Sequence, residues 1–298
     1  MQRLLYCIIF LLMLTSCKKE IDFDFHEIEP VVVIEGRVTN EGSSVVITQS
    51  RSVTDSVHPH CLQDAVVTIT ADGSTTTLLY DATSDSYHSS VPGVAGKTYQ
   101  LSVDLDDRHY EASAYMPAAT PVLQAGFFWL SMLDERMLVY ELWAVDPDPA
   151  ERNHYWYRID RISHHPHFDG KPKAARHEAY RWGILDDRGC PPGKVFIDIV
   201  TTSEKAMDED KEENWKSILY DGDSINCELM TIDRSVYDYF ASLRAGQGGG
   251  ANPQSNITGG CLGYFAAGSV VRTETIVFSR DNVKEWNKTN TKTTNYDK

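Results

Sequence analysis

The sequence is short of positive charge. Its 298 residues include 28 lysines and arginines against 43 aspartates and glutamates, which gives a net charge of −15 at neutral pH. Nucleic acids and anionic lipid surfaces repel a protein of that charge, so both are poor partners for it. An acidic excess is typical of an exposed, soluble domain, and an acid-lined cation site is the alternative.

Signature motifs of catalysis are missing as well. The chain has no Gly-x-Ser-x-Gly nucleophile motif and no phosphate-binding loop. The glycine tract at residues 246–251 follows a predicted helix instead of opening one, so it is not a dinucleotide site. The aspartates at 146 and 148, and at 221 and 223, stand beside turn-forming residues. We therefore predict a protein that is not an enzyme and that holds no cofactor.

No apolar run is long enough to cross a bilayer. The longest, residues 4–14, has 11 residues and follows Arg3, which is typical of a secretory signal peptide. It ends in Leu-x-x-Cys at Cys17, which resembles a bacterial lipobox and implies cleavage before this cysteine and its lipidation. We therefore predict a signal peptide over residues 1–16 and a lipid anchor that holds the mature chain on a membrane.

The mature chain also has few cysteines. Four follow the lipidation site: Cys61, Cys190, Cys227 and Cys261. No Cys-x-x-Cys spacing occurs, which disfavours a zinc site and thioredoxin-like chemistry. An even count in an oxidising compartment favours disulfides, and four cysteines allow three pairings. We predict a bridge between Cys190 and Cys261, with free buried thiols as the alternative.

Short β-branched and aromatic runs, separated by turn residues, are abundant. Residues 99–103 alternate apolar and polar side chains, as a strand with one solvated face does. Seven strands are predicted in the first part of the chain, over residues 31–39, 44–48, 65–70, 75–80, 87–90, 98–104 and 109–115. We therefore predict a mainly β protein whose first domain, residues 31–117, is an immunoglobulin-like or transthyretin-like β-sandwich.

A second β-rich domain follows the prolines at 117 and 121, which mark a linker. Strands are predicted there over residues 137–145, 155–159, 194–201, 224–232, 268–272 and 275–278. The alternation in residues 224–232 predicts that Asn226 and Glu228 are exposed. Asp233 is a predicted N-cap of one short helix, in which apolar residues recur at helical spacing as far as Leu243.

The domain prediction has five parts. Residues 1–16 are the signal peptide, and residues 17–30 are an N-terminal tether. Residues 31–117 form the sandwich, residues 122–286 form the β-rich C-terminal domain, and residues 287–298 form a flexible tail. The stretch 252–267 is predicted to turn on its glycines into a buried strand that closes the second domain.

Two groups of side chains are candidates for binding. Aromatic density in the second half predicts a packed core, with a concave ligand surface as the alternative, and its large members are Trp129, Trp143, Trp156 and Trp182. Three imidazoles close in sequence could bind zinc, copper or nickel, with a polar surface loop as the alternative, and they are His164, His165 and His167.

Five further segments carry a family resemblance: residues 32–39, 64–69, 96–101, 237–243 and 252–265. Together they resemble DUF4249, an uncharacterised family of Bacteroidota lipoproteins, over nearly the whole mature chain. Members are typically encoded near TonB-dependent outer-membrane receptors, which implies a role beside nutrient import. The family supplies no catalytic residues, and residues 163–177 and 203–219 match none of its patterns.

The resemblance leads to a functional prediction. We expect a lipid-anchored, non-enzymatic outer-membrane protein that is an accessory or ligand-binding partner of a TonB-dependent receptor. A structural or adhesive surface protein is one alternative, and a hydrolase that uses loop carboxylates on glycan or peptide is another. The acids behind Cys17 partly resemble the export tag of surface lipoproteins, so surface exposure is slightly favoured over a periplasmic-facing location.

Overall fold

The computed structural model describes residues 29–51, 59–132, 134–146, 148–163, 165, 176–246 and 252–286. The chain divides into two compact units, Met1–Pro30 with Arg51–Ser56 and Val31–Ser50 with Val57–Lys298. All the described strands and helices belong to the second unit. They form one sheet of 13 strands and one of four, so the mainly β prediction is confirmed.

The first half of the chain forms seven strands in the places that alternation predicts. They are β1 (Val32–Thr39), β2 (Gly42–Gln49), β3 (Val66–Ala71), β4 (Ser74–Asp81), β5 (Ser86–Ser89), β6 (Thr98–Leu105) and β7 (Arg108–Tyr115). The β3–β4 hairpin turns on Asp72 and Gly73, whose φ angles of 49° and 76° suit the right-handed twist of the flanking strands. Asp106, at φ 52°, begins the β6–β7 turn.

These strands enclose the first core as two layers, which is the predicted sandwich. Leu101 and Val103 of β6 lie in this core with Ile34 of β1, and polar side chains of β6 alternate outward. Strand β4 pairs with β3 over its first part and with β5 over its last, so it passes from one layer to the other.

The second half supplies the remaining strands and two helices. The strands are β8 (Val122–Met132), β9 (Glu135–Val145), β10 (His154–Ser163), β11 (Arg176–Asp186), β12 (Lys194–Ser203), β13 (Ser224–Ile232), β14 (Ile257–Thr258), β15 (Leu262–Arg272), β16 (Ile276–Val277) and β17 (Lys284–Glu285). The helices are α1 (Glu204–Glu209) and α2 (Arg234–Gly246), and short 3₁₀ turns lie at Glu212–Asn214 and Arg280–Asn282.

A second core lies between two groups of strands. Strands β12, β9, β8 and β17 form the four-stranded sheet, and β11, β10, β13 and β15 run side by side in the larger sheet. Trp129, Tyr140 and Leu142 from the former meet Tyr155 and Cys227 from the latter. Helix α2 covers part of the opposite face of the larger sheet, where Val236 and Phe240 are buried.

Helix α2 begins where the sequence predicts. The side chain of Asp233 accepts a hydrogen bond at 3.1 Å from the backbone N–H of Val236, which makes Asp233 the N-cap. Within the described ranges, no helix combines the length and the hydropathy that a membrane span requires.

The glycine-hinged stretch 252–267 does enter a buried strand, β15. The prediction that this stretch closes only the second domain is wrong in part. Strand β14 pairs with β7, and β15 pairs in parallel with β1. Ile257, Cys261 and Phe265 therefore lie in the first core, while Tyr264 and Ala266 face helix α2. Alternate residues of a strand point to opposite faces. The stretch therefore contributes both to the sandwich of the first half and to the packing of the second half.

Candidate functional site

A single row of side chains crosses four adjacent strands of the larger sheet. Trp182 of β11 lies opposite Arg158 of β10, Arg158 lies opposite Glu228 of β13, and Glu228 lies opposite Arg272 of β15. Directly opposite residues point to the same face of a sheet. We call these four side chains the Trp182–Arg272 row.

Helix α2 leaves this row at the edge of the area that it covers. The next row along the strands is apolar, with Trp156 opposite Met230. The ring centroid of Phe240 lies 4.7 Å from that of Trp156 and 5.7 Å from that of Trp182. The helix therefore buries the apolar row, and the Trp182–Arg272 row lies between the helix and the open part of the sheet.

Glu228 is the buried centre of a charged network. It is only 6% exposed, and its carboxylate accepts a hydrogen bond at 2.6 Å from the guanidinium of Arg272. The guanidinium of Arg37 donates at 3.4 Å, and that of Arg158 lies 4.0 Å away. A carboxylate removed from water needs such partners, because an unpaired buried charge costs several kcal/mol.

Two of the arginines around Glu228 also pair with other carboxylates. Arg272 also pairs with Glu41, and Arg158 pairs with Asp160 at 3.1 Å. The hydrogen bond to Glu41 and the charges of Glu228 and Glu41 raise the pKa of Arg272. Carboxylates on two sides fix these planar groups in place while each guanidinium keeps contact with solvent.

Trp182 supplies an aromatic surface at the end of the row. It is 39% exposed, and the guanidinium of Arg244, at the end of α2, lies 5.2 Å from its ring centroid. The same arginine donates to the backbone carbonyl of Trp182 at 3.3 Å. A Cβ atom at Gly183 would meet the hydroxyl of Tyr157 at 2.5 Å, so this glycine permits the close packing beside Trp182.

The arrangement suits recognition more than bond breaking. Guanidinium groups offer several donors in a planar fork, and an exposed indole offers a flat apolar surface. Because their partners already hold Arg158 and Arg272 in place, a ligand would not have to order them. The row therefore fits a ligand that presents hydrogen-bond acceptors beside an apolar face.

The four predicted tryptophans do not form one surface. Trp129 is 2% exposed and belongs to the second core. Trp143 lies on the opposite face of the four-stranded sheet, beside Phe196. Only Trp156 and Trp182 come together, where Phe240 packs against both. Trp129 is thus a core residue, and Trp182 is the exposed member of the pair.

The histidine prediction falls mainly outside the described residues. His164 and His167 lie there, as does the lipidation site Cys17. His165 stacks on Tyr220, with ring centroids 3.6 Å apart and an interplanar angle of 9°. Among the residues that the structure describes, no group of three or more His, Cys, Asp or Glu side chains could hold a metal ion. The proposed site at residues 164, 165 and 167 remains a prediction.

The predicted bridge between Cys190 and Cys261 is not formed. All four cysteines in the described part of the chain are free thiols. Cys261 lies in the first core, where burial raises its pKa to about 11. Cys190 lies in the turn after β11, where its backbone N–H donates to the carbonyl of Asp187. Three of the four thiols are buried, as the alternative prediction expected.

Sequence reasoning missed the charged residues of the row. Alternation predicts that Glu228 is exposed, and this is wrong because three arginines from other strands cover its carboxylate. Strand β11, which carries Trp182, was not predicted at all. The signal that could have predicted the row is the presence of arginine in strands that are rich in aromatic or aliphatic residues, at Arg158 and Arg272.

The model of one protein family matches most of the chain. This family is a domain of unknown function, DUF4249, and its model matches residues 18–274. No curated protein matches the chain. Among solved structures, the chicken interferon gamma receptor alpha chain aligns over 69% of this chain and 90% of its own, at 8% identity and a TM-score of 0.16. So low a TM-score supports no conclusion about fold or function.

Proposed function

Because the chain belongs to the DUF4249 family, whose function is unknown, we propose a function from its strands and its first residues. The protein is a non-enzymatic binding protein of the outer membrane, anchored through lipidated Cys17. It works as an accessory or ligand-binding partner of a TonB-dependent receptor in nutrient uptake. The apolar run before Cys17 supports the anchor. The resemblance to lipoproteins encoded beside such receptors supports the partner.

The observation that carries the binding role is the Trp182–Arg272 row. It places an exposed indole beside guanidinium groups that carboxylates already hold in position. Binding interfaces concentrate their affinity in buried tryptophan, tyrosine and arginine side chains, so this row is the expected centre of contact. The mechanism is binding alone: the row receives a ligand with acceptor groups beside an apolar face, or the corresponding surface of the receptor.

The experiment is affinity purification of the full-length, tagged protein from membranes that were cross-linked in intact cells. We expect a TonB-dependent receptor as the main cross-linked partner of the native protein. Trp182→Ala should lower the receptor yield at least about tenfold, because truncation of a central tryptophan removes a binding hot spot. The control is Leu79→Ala, at an exposed leucine of β4, which should leave the yield unchanged.

Two results would overturn the proposal. One is a protein that stays monomeric under cross-linking. The other is a receptor that co-purifies equally with the native protein and with Trp182→Ala, provided that the variant and the native protein unfold at the same temperature.

A further inference from the structure

A second open surface lies on the four-stranded sheet, on the face that points away from the second core. The core members of this sheet, among them Trp129, Leu142 and Val195, all lie on the inner face. Strand register places three successive rows on the outer face of β8, β9 and β12: Gln124–Trp143–Phe196, Gly126–Glu141–Asp198 and Phe128–Val139–Val200. We call these rows the docking face.

Two of the three rows are largely apolar. The rings of Trp143 and Phe196 pack with centroids 5.5 Å apart, and Val200 in the third row is 47% exposed. Trp143, Phe196 and Phe128 are half-buried, and Val139 at the centre of the third row is buried, at 1% exposed. The accessible apolar surface is therefore the row of Trp143 and Phe196, together with Val200, and exposed apolar side chains beside polar ones are a candidate interaction site.

The middle row puts two carboxylates side by side. Glu141 and Asp198 are direct cross-strand neighbours, a position in which like charges repel. Gln124 donates one hydrogen bond to Glu141 at 3.4 Å. In the part of the chain that the structure describes, neither carboxylate forms an ion pair with a lysine, arginine or histidine. An acid pair among apolar rows therefore lacks the cation that would balance it.

The electrostatics of Asp198 agree with that geometry. Desolvation by its neighbours, and then the charge of Glu141, raise the pKa of Asp198 to about 6, although its side chain keeps contact with solvent. The third position of the row is Gly126, where a Cβ atom would meet nothing within 4 Å. The missing side chain leaves a notch beside Glu141 that can admit a side chain from outside.

We propose that the docking face binds a partner protein through a lysine or arginine side chain, which enters the notch at Gly126 and pairs with Glu141 and Asp198. Apolar residues that flank this basic residue in the partner pack on the rows of Trp143 and Val200. Charge complementarity selects the basic residue, and the indole of Trp143 adds a cation–π contact. This surface is separate from the Trp182–Arg272 row, and the inference does not depend on the proposed function.

The test is a selection of random 12-residue peptides, displayed on phage, against the full-length protein. We expect enrichment of peptides in which lysine or arginine is flanked by apolar residues. A selected peptide should bind at least about tenfold more weakly when citrulline or norleucine replaces its basic residue, since each removes the charge. Affinity should also fall between pH 7.5 and pH 5, because Asp198 becomes protonated in that window.

The matched variant is Glu141→Gln with Asp198→Asn, which keeps the shape of the row. Removal of two adjacent like charges should not destabilise the fold, so loss of the basic preference in this variant supports the proposal. A second variant, Asp198→Lys, supplies an internal cation and should also lose the preference.

Other outcomes overturn the proposal. They are a selection without basic residues, an equal preference in both variants, or no selection at all. The chain's own tail after Trp286 contains three lysines, Lys288, Lys292 and Lys298. If a chain that ends at Trp286 selects basic peptides and the full chain does not, the occupant is this tail and no partner.

Discussion

Arg161 holds its charge inside the second half of the protein. It is 1% exposed, and it donates to the backbone carbonyl of Ile218 at 2.6 Å. Its guanidinium also pairs with Glu178 and lies 3.9 Å from the buried carboxylate of Asp223. This arginine thus joins β10 to β11 and to the segment before β13, and Asp223 depends on it for a positive partner.

We expect Arg161→Met to destabilise the protein by about 3–5 kcal/mol, because it leaves the charge of Asp223 buried without a cation. The measurement is the free energy of unfolding from urea titration. The control is Arg234→Met, an exposed arginine that pairs with Asp238 one helical turn away, which should change stability by less than about 0.5 kcal/mol. If Arg161→Met lowered the free energy of unfolding no more than this control does, the buried network would contribute nothing to stability.

For single residues, the sequence predicts well to which face of a strand a side chain points, and it predicts less well whether that side chain is buried. Alternation correctly places Leu101 and Val103 in a core, because every second residue of a strand points to one side. The same rule fails for Glu228, because its burial comes from Arg37 and Arg272, which lie far from it in the chain. Local periodicity contains no information about which distant side chain will cover a position.

Among the elements, β15 carries the largest structural role. It pairs in parallel with β1 and antiparallel with β13, so it links the strands around the first core to those around the second. Gly263 makes the parallel pairing possible: it has φ 104°, and a Cβ atom there would lie 1.9 Å from the carbonyl oxygen of Ile34. Any side chain at this position would collide with the backbone of β1.

Gly263→Ala should therefore cost at least about 3 kcal/mol of stability, as backbone strain and a clash with main-chain atoms combine. Chemical unfolding followed by tryptophan fluorescence would measure the loss. Gly126→Ala is the matched control, since it also lies in a strand but has open space around it. We expect that control to stay within about 1 kcal/mol of the native protein. A native-like stability for Gly263→Ala would contradict the parallel pairing of β1 with β15.

Element prediction succeeded where turns and alternation coincide. Strands β1 to β7 lie where short apolar runs end at residues such as Asp72-Gly73. Strand β11 was not predicted, because its segment mixes arginine, histidine and glutamate with aromatic residues and shows no clean alternation of apolar and polar side chains. The pairing of β15 with β1 could not be predicted either, because parallel partners distant in sequence leave no local signal.

At the scale of the whole molecule, the candidate site is a product of topology. The Trp182–Arg272 row takes one residue from each of four strands, which the chain visits in the order β10, β11, β13 and β15. The sequence named Trp182 as a candidate, but register alone brings it beside Arg158. The predicted domain boundary between residues 117 and 122 stays a prediction, although hydrogen-bonded strands from both sides of it share one sheet.

The anchor is a property of the whole molecule and has its own test. Cys17→Ala should move the protein from the membrane fraction to the soluble fraction, because the acyl chains supply about 0.8 kcal/mol for each buried methylene. Fractionation of cells, with a carbonate wash and immunoblotting, measures the distribution. Cys7→Ala changes the other cysteine of the first 17 residues and should leave the protein on the membrane. A Cys17→Ala protein that resists the wash would contradict lipidation at this residue.

The parallel pairing of β1 with β15 also sets an order of events during synthesis. Val33 pairs with Leu262, so one of the first strands to be synthesised cannot pair fully until one of the last strands has been synthesised. Until then one edge of β1 is unpaired and the first core lacks Ile257, Cys261 and Phe265, and a nascent chain in that state is prone to aggregate. Because this pairing joins residues so far apart in the chain, we expect the first sandwich to fold slowly and to depend on chaperones that hold the chain until its final quarter has been made.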